Sequence, residues 1–341
     1  MNLTEGLGYN YLSNQEKELY KVVLKALSLN MNSFNYAVTN RDVDIMKIIL
    51  TVLGDNPLII NFNKTKIEIE ELNEFKKVLL SGIPSQSQMQ KMYLALNFEV
   101  NRIISQITAT TASDEYALLI KLYEYLQENV NYDKQEYIAN LKGVCTNQNA
   151  HNAYGALINK YAVCDGYSSA FALLAKKLGF DCMIVIGMSS YESSSVINHA
   201  WNIVKIQNKY YHMDNTWDSK RFNEFNYHSY AYFALNDEEI KVDHMWDRNS
   251  TPACKNDDLS FYKRNSLFAD NMEQAKNIIA FASKKNTGIL RMKLSPRIIL
   301  KENTGEELVQ MYMESIAKTG IRIQFNYTWN EKTRCLFAKI I

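Results

Sequence analysis

The spacing of apolar residues over the first 110 positions alternates between helical and strand patterns. The run from Ser13 to Glu16 has the form of a capping box, and the apolar residues behind it recur every three or four positions. The same spacing predicts a helix that ends at Gly54 and a long helix over residues 89–107. Short β-prone runs predict strands over residues 34–38, 58–62 and 64–69.

The middle of the chain carries the clearest helical pattern. Ser113 is placed to cap a helix with leucines on one face. After Cys164 the apolar spacing predicts a helix that ends at Gly179. Consecutive apolar residues then predict a buried strand over residues 181–187, and five serines predict a flexible loop over residues 188–196.

The tail forms a separate pattern of helices and strands. Apolar spacing predicts helices over residues 272–282 and 306–317, with a strand over residues 289–294 between them. Strict alternation from Ile321 to Trp329 predicts another strand, which a closing strand over residues 334–340 follows. The three patterns predict three domains, with bounds at residues 1–110, 111–268 and 269–341.

Cys164 occupies the position at which the central helix is expected to begin. The unpaired N–H groups and the positive dipole end of a helix N-terminus favour a thiolate over a thiol. A small, strongly nucleophilic side chain at such a place is what an acyl-transfer enzyme needs. The competing interpretation is a buried core cysteine, because free cysteines are among the most buried residues.

Two β-prone runs, residues 197–204 and 210–218, are separated by a turn signal and predict a hairpin. If Gln207 and Asn208 form a two-residue loop, His199 in the first strand lies opposite Thr216 in the second.

The same register makes Asp214 a diagonal neighbour of His199 on one face of the hairpin. A helix packed on that face would bring the Cys164 thiol to the imidazole. The three side chains would then serve as nucleophile, base and orienting group.

The segments YAVCDGYSSAF, NHAWNIV and YHMDNTWD, in this order, resemble the transglutaminase-like superfamily of papain-like thiol enzymes. The later run YFAL followed by Asp243 and His244 resembles its bacterial branch. The resemblance implies an α+β fold with a transglutaminase-like core, in which the catalytic helix packs on an antiparallel sheet. Smaller α+β domains would flank this core at both ends.

This resemblance implies cysteine-dependent acyl transfer on protein or peptide amides, through a thioester and a triad of Cys164, His199 and Asp214. Cysteine proteases and non-catalytic binding or scaffolding proteins share the core and stay alternatives. The backbone N–H of Cys164 would be one oxyanion donor. In such enzymes an upstream aromatic or polar side chain supplies another, and Tyr154 or Gln148 could fill that place.

Four residues are expected to contact substrate: Trp201, Trp217, Tyr167 and Tyr154. An aromatic slot that admits a lysine amine and discourages water favours transamidation. We therefore expect transamidation or deamidation of glutamine ahead of proteolysis. The two tryptophans are equally well explained as core residues.

Other cysteines and histidines compete for the same roles. Cys145 lies near His151 in sequence but lacks a helix start, and Cys182 falls inside a buried strand. His212 shares the hairpin face of Asp214 and is the main alternative base. For His244 we expect a structural hydrogen bond rather than chemistry.

Charge and composition limit the classes of molecule that the protein is expected to bind. With 38 basic and 37 acidic residues the net charge is +1, so no global field favours nucleic acid. The five scattered cysteines suggest neither a disulfide framework nor a zinc site, and no acidic loop has calcium-ligand spacing. We therefore expect no metal and no cofactor, and a protein or peptide as the substrate.

The N-terminus lacks a basic start followed by an apolar core, and no run of 18 apolar residues predicts a membrane span. We expect a cytoplasmic protein. An extracellular location stays open if a leader peptide has been removed.

Overall fold

The structure is a computed structural model. It describes most of the chain, in nine ranges: residues 5–37, 43–60, 67–80, 84–111, 114–191, 195–219, 227–285, 287–317 and 324–341. The fold is α+β, as predicted, with antiparallel sheets and helices packed against them.

The N-terminal part packs two helices, α1 (Asn14–Ser28) and α2 (Ile45–Asp55), on a small antiparallel sheet. The predicted capping box is present, because the side chains of Ser13 and Glu16 bond each other's backbone N–H groups. The sheet has the order β1-β3-β2, formed by β1 (Ser33–Ala37), β2 (Ile67–Leu72) and β3 (Phe75–Leu80).

Two of the predicted strands in this part are placed differently. Residues 58–60 form no strand, and residues 61–66 lie outside the described ranges. The observed hairpin begins at Ile67, and Glu70 and Glu71 on β2 face Lys77 and Lys76 on β3. Cross-strand pairs of opposite charge of this kind stabilise a strand that apolar alternation alone does not reveal.

The central part begins with two long helices, α3 (Gln86–Ala109) and α4 (Glu115–Asn129). Asp114 caps α4, whereas the predicted cap Ser113 lies outside the described ranges. A two-residue parallel pairing then joins β4 (Asn131–Tyr132) to β5 (Tyr161–Ala162), with α5 (Lys134–Leu141) between them. The helix α6 (Cys164–Lys177) follows directly.

A five-stranded antiparallel sheet lies behind α6, in the order β10-β6-β7-β8-β9. Its long strands are β6 (Cys182–Tyr191) and β7 (Ser195–Ile206). The other elements of this part are β8 (Lys209–Met213), β9 (Phe233–Leu235), α7 (Asp237–Ile240), β10 (His244–Met245) and α8 (Phe261–Arg264).

Within the predicted loop over residues 188–196, the described residues form strand, and residues 192–194 lie outside the described ranges. Strand β6 continues to Tyr191 and β7 starts at Ser195, with Ser189 paired to Ile197 and Ser190 to Val196. The pairing partner supplies the backbone hydrogen bonds, so tertiary context overrides the low strand propensity of serine.

The predicted loop between β7 and β8 is confirmed. Ile206 faces Lys209, and Gln207 and Asn208 both have positive φ, at 49° and 64°. Two such residues form the tight turn whose twist suits a two-residue hairpin.

The C-terminal part is a four-stranded sheet of order β11-β12-β14-β13 covered by two helices. Its elements are β11 (Phe268–Ala269), α9 (Met272–Lys285), β12 (Ile289–Leu294), α10 (Thr304–Ala317), β13 (Phe325–Asn330) and β14 (Cys335–Ile340). Ile321 and Ile323 of the predicted alternating strand lie outside the described ranges.

Buried apolar side chains form three clusters. One spans Leu12 to Leu80, one spans Ile60 to Tyr262 with Cys335 added, and one spans Ala269 to Ala338. Helix α3 contributes to the middle cluster, although the predicted boundary at residue 110 assigned it to the N-terminal module. The division into three domains stays a prediction. Within the described ranges, no helix is both long enough and apolar enough to cross a membrane.

Candidate active site

Cys164 is the first residue of α6, as predicted, and its side chain is half-buried. The preceding residue, Val163, donates its N–H to the carbonyl of Ala150 (3.0 Å). Gly166 allows this close approach, because a Cβ there would lie 2.2 Å from the same carbonyl oxygen. Ala150 therefore packs directly against the start of α6, where Cys164 lies.

This contact makes Gly166→Ala a sensitive substitution. We expect the added methyl group to push Ala150 away and to shift the start of α6, at a cost of about 1–3 kcal/mol in the free energy of unfolding. Activity per folded molecule should fall as well, because Cys164 lies two residues away. Chemical denaturation and turnover of the variant check this. The control for turnover is Gly143→Ala, whose added methyl group meets no neighbour and whose cost in stability is backbone strain from a φ of +73° alone. Unchanged turnover in Gly166→Ala would contradict it.

His199 lies on β7, paired with Gly187 on β6, and only 4% of its surface is exposed. Its Nε2 bonds the Asp214 carboxylate at Oδ2 (2.7 Å), and the Cys164 thiol lies beside the imidazole and raises its pKa. Since Nε2 is taken by the carboxylate, the nitrogen left for the thiol is Nδ1. The structure thus brings the three predicted side chains into one row.

The electrostatics of His199 favour its charged form. Burial alone would lower the pKa of His199, but the charge of Asp214 and its hydrogen bond, together with the Cys164 thiol, raise it to about 9. The imidazole therefore holds its proton across the neutral range.

Asp214 follows the end of β8 and is fully buried. It lies past the ladder, which ends at Asn202 and Met213, so the predicted pairing of His199 with Thr216 is absent from the described ladder. The Asp214 Oδ1 instead accepts from the backbone N–H groups of Thr216 and Trp217. Burial raises its pKa, yet the charges and hydrogen bonds of His199 and His244 hold the pKa of Asp214 well below its usual range.

A second buried carboxylate fixes the turn that carries Asp214. The Asp218 side chain accepts from the Tyr123 hydroxyl (2.7 Å), from Ser229 Oγ and from the backbone N–H of Tyr232 (2.8 Å). Tyr123 of α4 also donates to the carbonyl of Asp214 (2.8 Å). Burial, the largest effect, raises the pKa of Asp218 to about 6. The sequence analysis assigned no role to Tyr123 or Asp218.

Asn202 connects the strand of His199 to the helix of Cys164. Its Nδ2 donates to the carbonyl of Ser168 in α6 (3.0 Å), and it is buried. The bond fixes the position of α6 along β7. The sequence signal for a role of Asn202 was its place in the NHAWN segment, three residues after His199.

His244 makes the structural hydrogen bond that the sequence predicts, and its partner is the candidate triad residue Asp214. Its Nε2 lies 3.0 Å from the Asp214 Oδ2, the same oxygen that His199 bonds, and its ring centroid is 5.2 Å from that of His199. Its place in the motif shared with the bacterial branch was the only sequence signal.

The predicted substrate aromatics lie mostly inside the core. Trp201 is fully buried, stacks on His199 and donates its Nε1–H to His212. Tyr167 is buried and donates to the carbonyl of Val130. Tyr154 is half-buried against the central cluster, and Trp217 is 6% exposed with its ring 5.5 Å from the His199 ring. Trp217 is thus the only one of the four that combines some exposure with a ring contact to His199.

The alternative base, His212, is turned away from the thiol. Its Nδ1 accepts from Trp201 and its Nε2 bonds Asp237 (2.9 Å), which makes it a neutral imidazole. Burial lowers the pKa of His212, in agreement with that state. Cys182 is buried, and burial raises the pKa of its thiol to about 12.

A cavity beside the start of α6 is lined by side chains from four stretches of the chain. Asp165 and Ser169 come from α6, Gln148 and His151 from the segment before it, and the apolar wall is formed by Leu50, Leu53, Pro57, Ile59, Ile184 and Ile186. His151 bridges Glu136 (3.0 Å) and Asp165 (2.9 Å). Burial alone would raise the pKa of Glu136, but hydrogen bonds from Thr146, His151 and neighbouring groups lower it to about 2.

Three groups of described residues have ligand atoms close enough to hold a metal ion: Glu136, Cys145 and His151; His199, Asp214 and His244; His212, Asp237 and Cys254. Every imidazole in these groups already bonds a carboxylate. Metal binding would therefore have to replace those bonds.

Comparison with known proteins finds one matching family model and a few similar solved structures. Residues 102–215, a range that contains Cys164, His199 and Asp214, match the sequence model of the transglutaminase-like superfamily core. No curated protein matches the chain. A solved TGase structure is similar at 15% identity, with 58% of this chain and 53% of that chain covered and a TM-score of 0.34.

A proposed cysteine protease from Cytophaga hutchinsonii is similar at 12% identity, with 44% of this chain and 61% of that chain covered and a TM-score of 0.28. The chain thus spans between half and two thirds of these two structures. The match to the transglutaminase-like superfamily covers residues 102–215, about one third of the chain.

Proposed function

We propose that this protein is a thiol enzyme that transfers acyl groups from protein or peptide amides, with Cys164 as nucleophile, His199 as base and Asp214 as orienting group. The observation that carries the proposal is the geometry of three neighbouring side chains. The His199 imidazole bonds the buried Asp214 carboxylate (2.7 Å), and the Cys164 thiol at the start of α6 lies beside that imidazole. A nucleophile bonded to a base that a third group orients is the arrangement of activated nucleophiles in general.

The first half of the reaction forms a thioester. Before substrate arrives, the proton of Cys164 has already passed to the His199 Nδ1, which leaves a thiolate beside an imidazolium. The thiolate sulfur then attacks the amide carbonyl carbon. The C–N bond breaks while His199 returns that proton to the leaving nitrogen, which departs as ammonia or an amine. Asp214 fixes the imidazole tautomer and stabilises its positive charge throughout.

The second half releases the acyl group. An amine or a water molecule loses a proton to His199 and attacks the thioester carbonyl, and the Cys164 sulfur leaves and regains the proton. An amine gives transamidation, and water gives deamidation of a glutamine side chain or cleavage of a peptide bond.

Stabilisation of the oxyanion comes from the start of α6, whose first N–H groups have no partner inside the helix. Of the two candidate side chains, Gln148 lines the cavity with Asp165, whereas Tyr154 packs on the central cluster. We therefore propose Gln148 as the second donor. Neither Cys164 nor His199 is among the lining residues of the cavity, so we propose it as a neighbouring subsite that binds substrate next to the thiol. Its apolar wall comes from α2, the residues after α2, and β6.

The buried positions of Trp201 and Tyr167 remove most of the aromatic slot that favoured transamidation. Transamidation or deamidation of glutamine stays our first proposal. Proteolysis is the second candidate, because the cavity has both polar and apolar walls that could hold a peptide. Hydrolysis also needs no amine as a second substrate.

The experiment that separates these reactions supplies a glutamine-containing protein such as casein and a labelled primary amine. We expect Cys164-dependent incorporation of the amine, because a thioester reacts with any amine that reaches it. The variant Cys164→Ala is the control. Backbone cleavage without incorporation would make the protein a protease, and neither reaction with a panel of proteins would favour a binding protein.

A further inference from the structure

We propose that His244, held by Asp243 and Tyr232, is a positioning residue that keeps the Asp214 carboxylate bonded to His199. This inference rests on the proposed roles of Cys164, His199 and Asp214. It adds a second imidazole next to Cys164, His199 and Asp214. This imidazole bonds the Asp214 carboxylate and lies away from the thiol.

The contacts of His244 form a chain that leads away from the site. Its Nε2 bonds Asp214 Oδ2 (3.0 Å) and its Nδ1 bonds Asp243 Oδ1 (2.6 Å). The Tyr232 hydroxyl donates to the other oxygen of Asp243 (2.7 Å). All four side chains are at most 4% exposed. Water therefore does not compete for these bonds.

The partners of His244 determine its protonation. An ionised carboxylate only accepts hydrogen bonds, so a ring that bonds one carboxylate at each nitrogen must donate from both and is an imidazolium. Burial alone would lower the pKa of His244, but the hydrogen bonds and charges of Asp214 and Asp243 raise it to about 8. The other titratable groups that face it are His199, Tyr232 and His212.

Charge balance explains why this arrangement assists His199. The Asp243 carboxylate neutralises the His244 imidazolium, so the pair adds a hydrogen-bond donor to Asp214 without adding net charge. The negative charge of Asp214 is thus still available to the imidazolium of His199. A lone cation at the same place would compete with His199 for that charge.

The backbone and the aromatic rings around His244 hold its ring in place. His244 lies on β10 and pairs with Ser189, and the carbonyl of Asp243 accepts from the N–H of Ser190. The rings of Trp217 and Trp201 lie 4.6 Å and 4.8 Å from the imidazole. Without His244, the Asp214 Oδ2 would keep a single donor and would be freer to turn from His199.

The test compares His244→Ala with His244→Gln, whose amide can still donate to Asp214. The first readout is the rate at which iodoacetamide alkylates Cys164, followed by peptide mass spectrometry, because this rate needs no substrate. We expect about a 10- to 100-fold loss in His244→Ala, the size expected for a hydrogen bond to a charged group. His244→Gln should recover most of that loss. In turnover assays kcat should fall while KM changes little.

The pH dependence supplies a readout that a purely structural role would not change. A raised histidine pKa means that the doubly donating form is present at low pH and is lost as pH rises through about 8. In Asp243→Asn, which removes a charge that raises this pKa, less of the doubly donating form is present at neutral pH, so the alkylation rate of Cys164 below about pH 8 should fall toward that of His244→Ala. This variant also keeps the test decisive if His244→Ala fails to fold.

The matched control is His212→Gln. His212 is a fully buried histidine that bonds Trp201 and Asp237 but not Asp214. The variant should lose stability and keep the alkylation rate of Cys164. Wild-type alkylation rates in folded His244→Ala and an unchanged pH profile in Asp243→Asn would overturn the inference. If Cys164 is reactive and depends on His244 but no acyl transfer is found, the proposed function fails and the positioning role stands.

Discussion

The variant Cys164→Ala is expected to lose turnover by at least about 10⁴-fold, because no other group can form the thioester. The fold should survive, since the thiol is half-buried and its partner His199 keeps the Asp214 bond. A change within about 1 kcal/mol in the free energy of unfolding is expected for a substitution of this kind. Turnover and denaturant unfolding of the same preparation check both parts.

The control for this variant is Cys335→Ala, which removes a buried thiol in β14 of the C-terminal sheet. It should keep wild-type turnover. Loss of turnover in Cys145→Ala together with normal turnover in Cys164→Ala would show that the nucleophile is Cys145.

The variant Asp214→Asn is expected to lower kcat by about 100- to 10,000-fold with little change in KM. The carboxylate orients His199 and raises its pKa, so the variant keeps a nucleophile but lacks a well-oriented, charged imidazole. Activity should remain measurable, because Asp214 does not itself react. Steady-state kinetics over a range of pH values measure the effect.

The pKa of His199 predicts in which direction the pH profile of activity should shift in Asp214→Asn. His199 has a pKa raised to about 9, so its proton is present below that value and is lost as pH rises through it. Wild-type activity should therefore fall on the alkaline side near pH 9. In Asp214→Asn the fall in activity should move to lower pH. The negative charge that raises the pKa of His199 is then gone, so the effect of burial, which lowers this pKa, dominates.

The control for Asp214→Asn is Asp258→Asn, an exposed carboxylate paired with Lys209. It should leave kcat and its pH profile unchanged. A silent Asp214→Ala combined with an inactive His212→Ala would mean that His212 is the base.

The candidate triad could be predicted because its signals are local. A helix that begins at Cys164 follows from apolar spacing, and the two-residue loop at Gln207 and Asn208 sets the register that places His199 near Asp214. Hairpin register and helix starts depend on neighbouring residues, which a single sequence contains.

The contacts that the sequence did not reveal are long-range. His244 reaches Asp214 because β10 pairs with β6, and Tyr123 reaches Asp214 and Asp218 from a helix about 90 residues earlier. Burial of Trp201 and Tyr167 likewise depends on packing between distant segments. The serine-rich stretch was missed for a different reason. Ser189 pairs with Ile197 in a local hairpin, and the low strand propensity of serine hides that pairing in the sequence.

The most direct test of the central claim is the relative rate of alkylation of the five cysteines by limiting iodoacetamide at pH 7, measured by peptide mass spectrometry. We expect Cys164 to react at least about tenfold faster than Cys145, the other half-buried cysteine, and to lose this advantage in His199→Ala. The three buried thiols should stay unmodified in the folded protein. Equal rates at Cys164 and Cys145, or a Cys164 rate that does not change in His199→Ala, would contradict the claim that His199 activates Cys164.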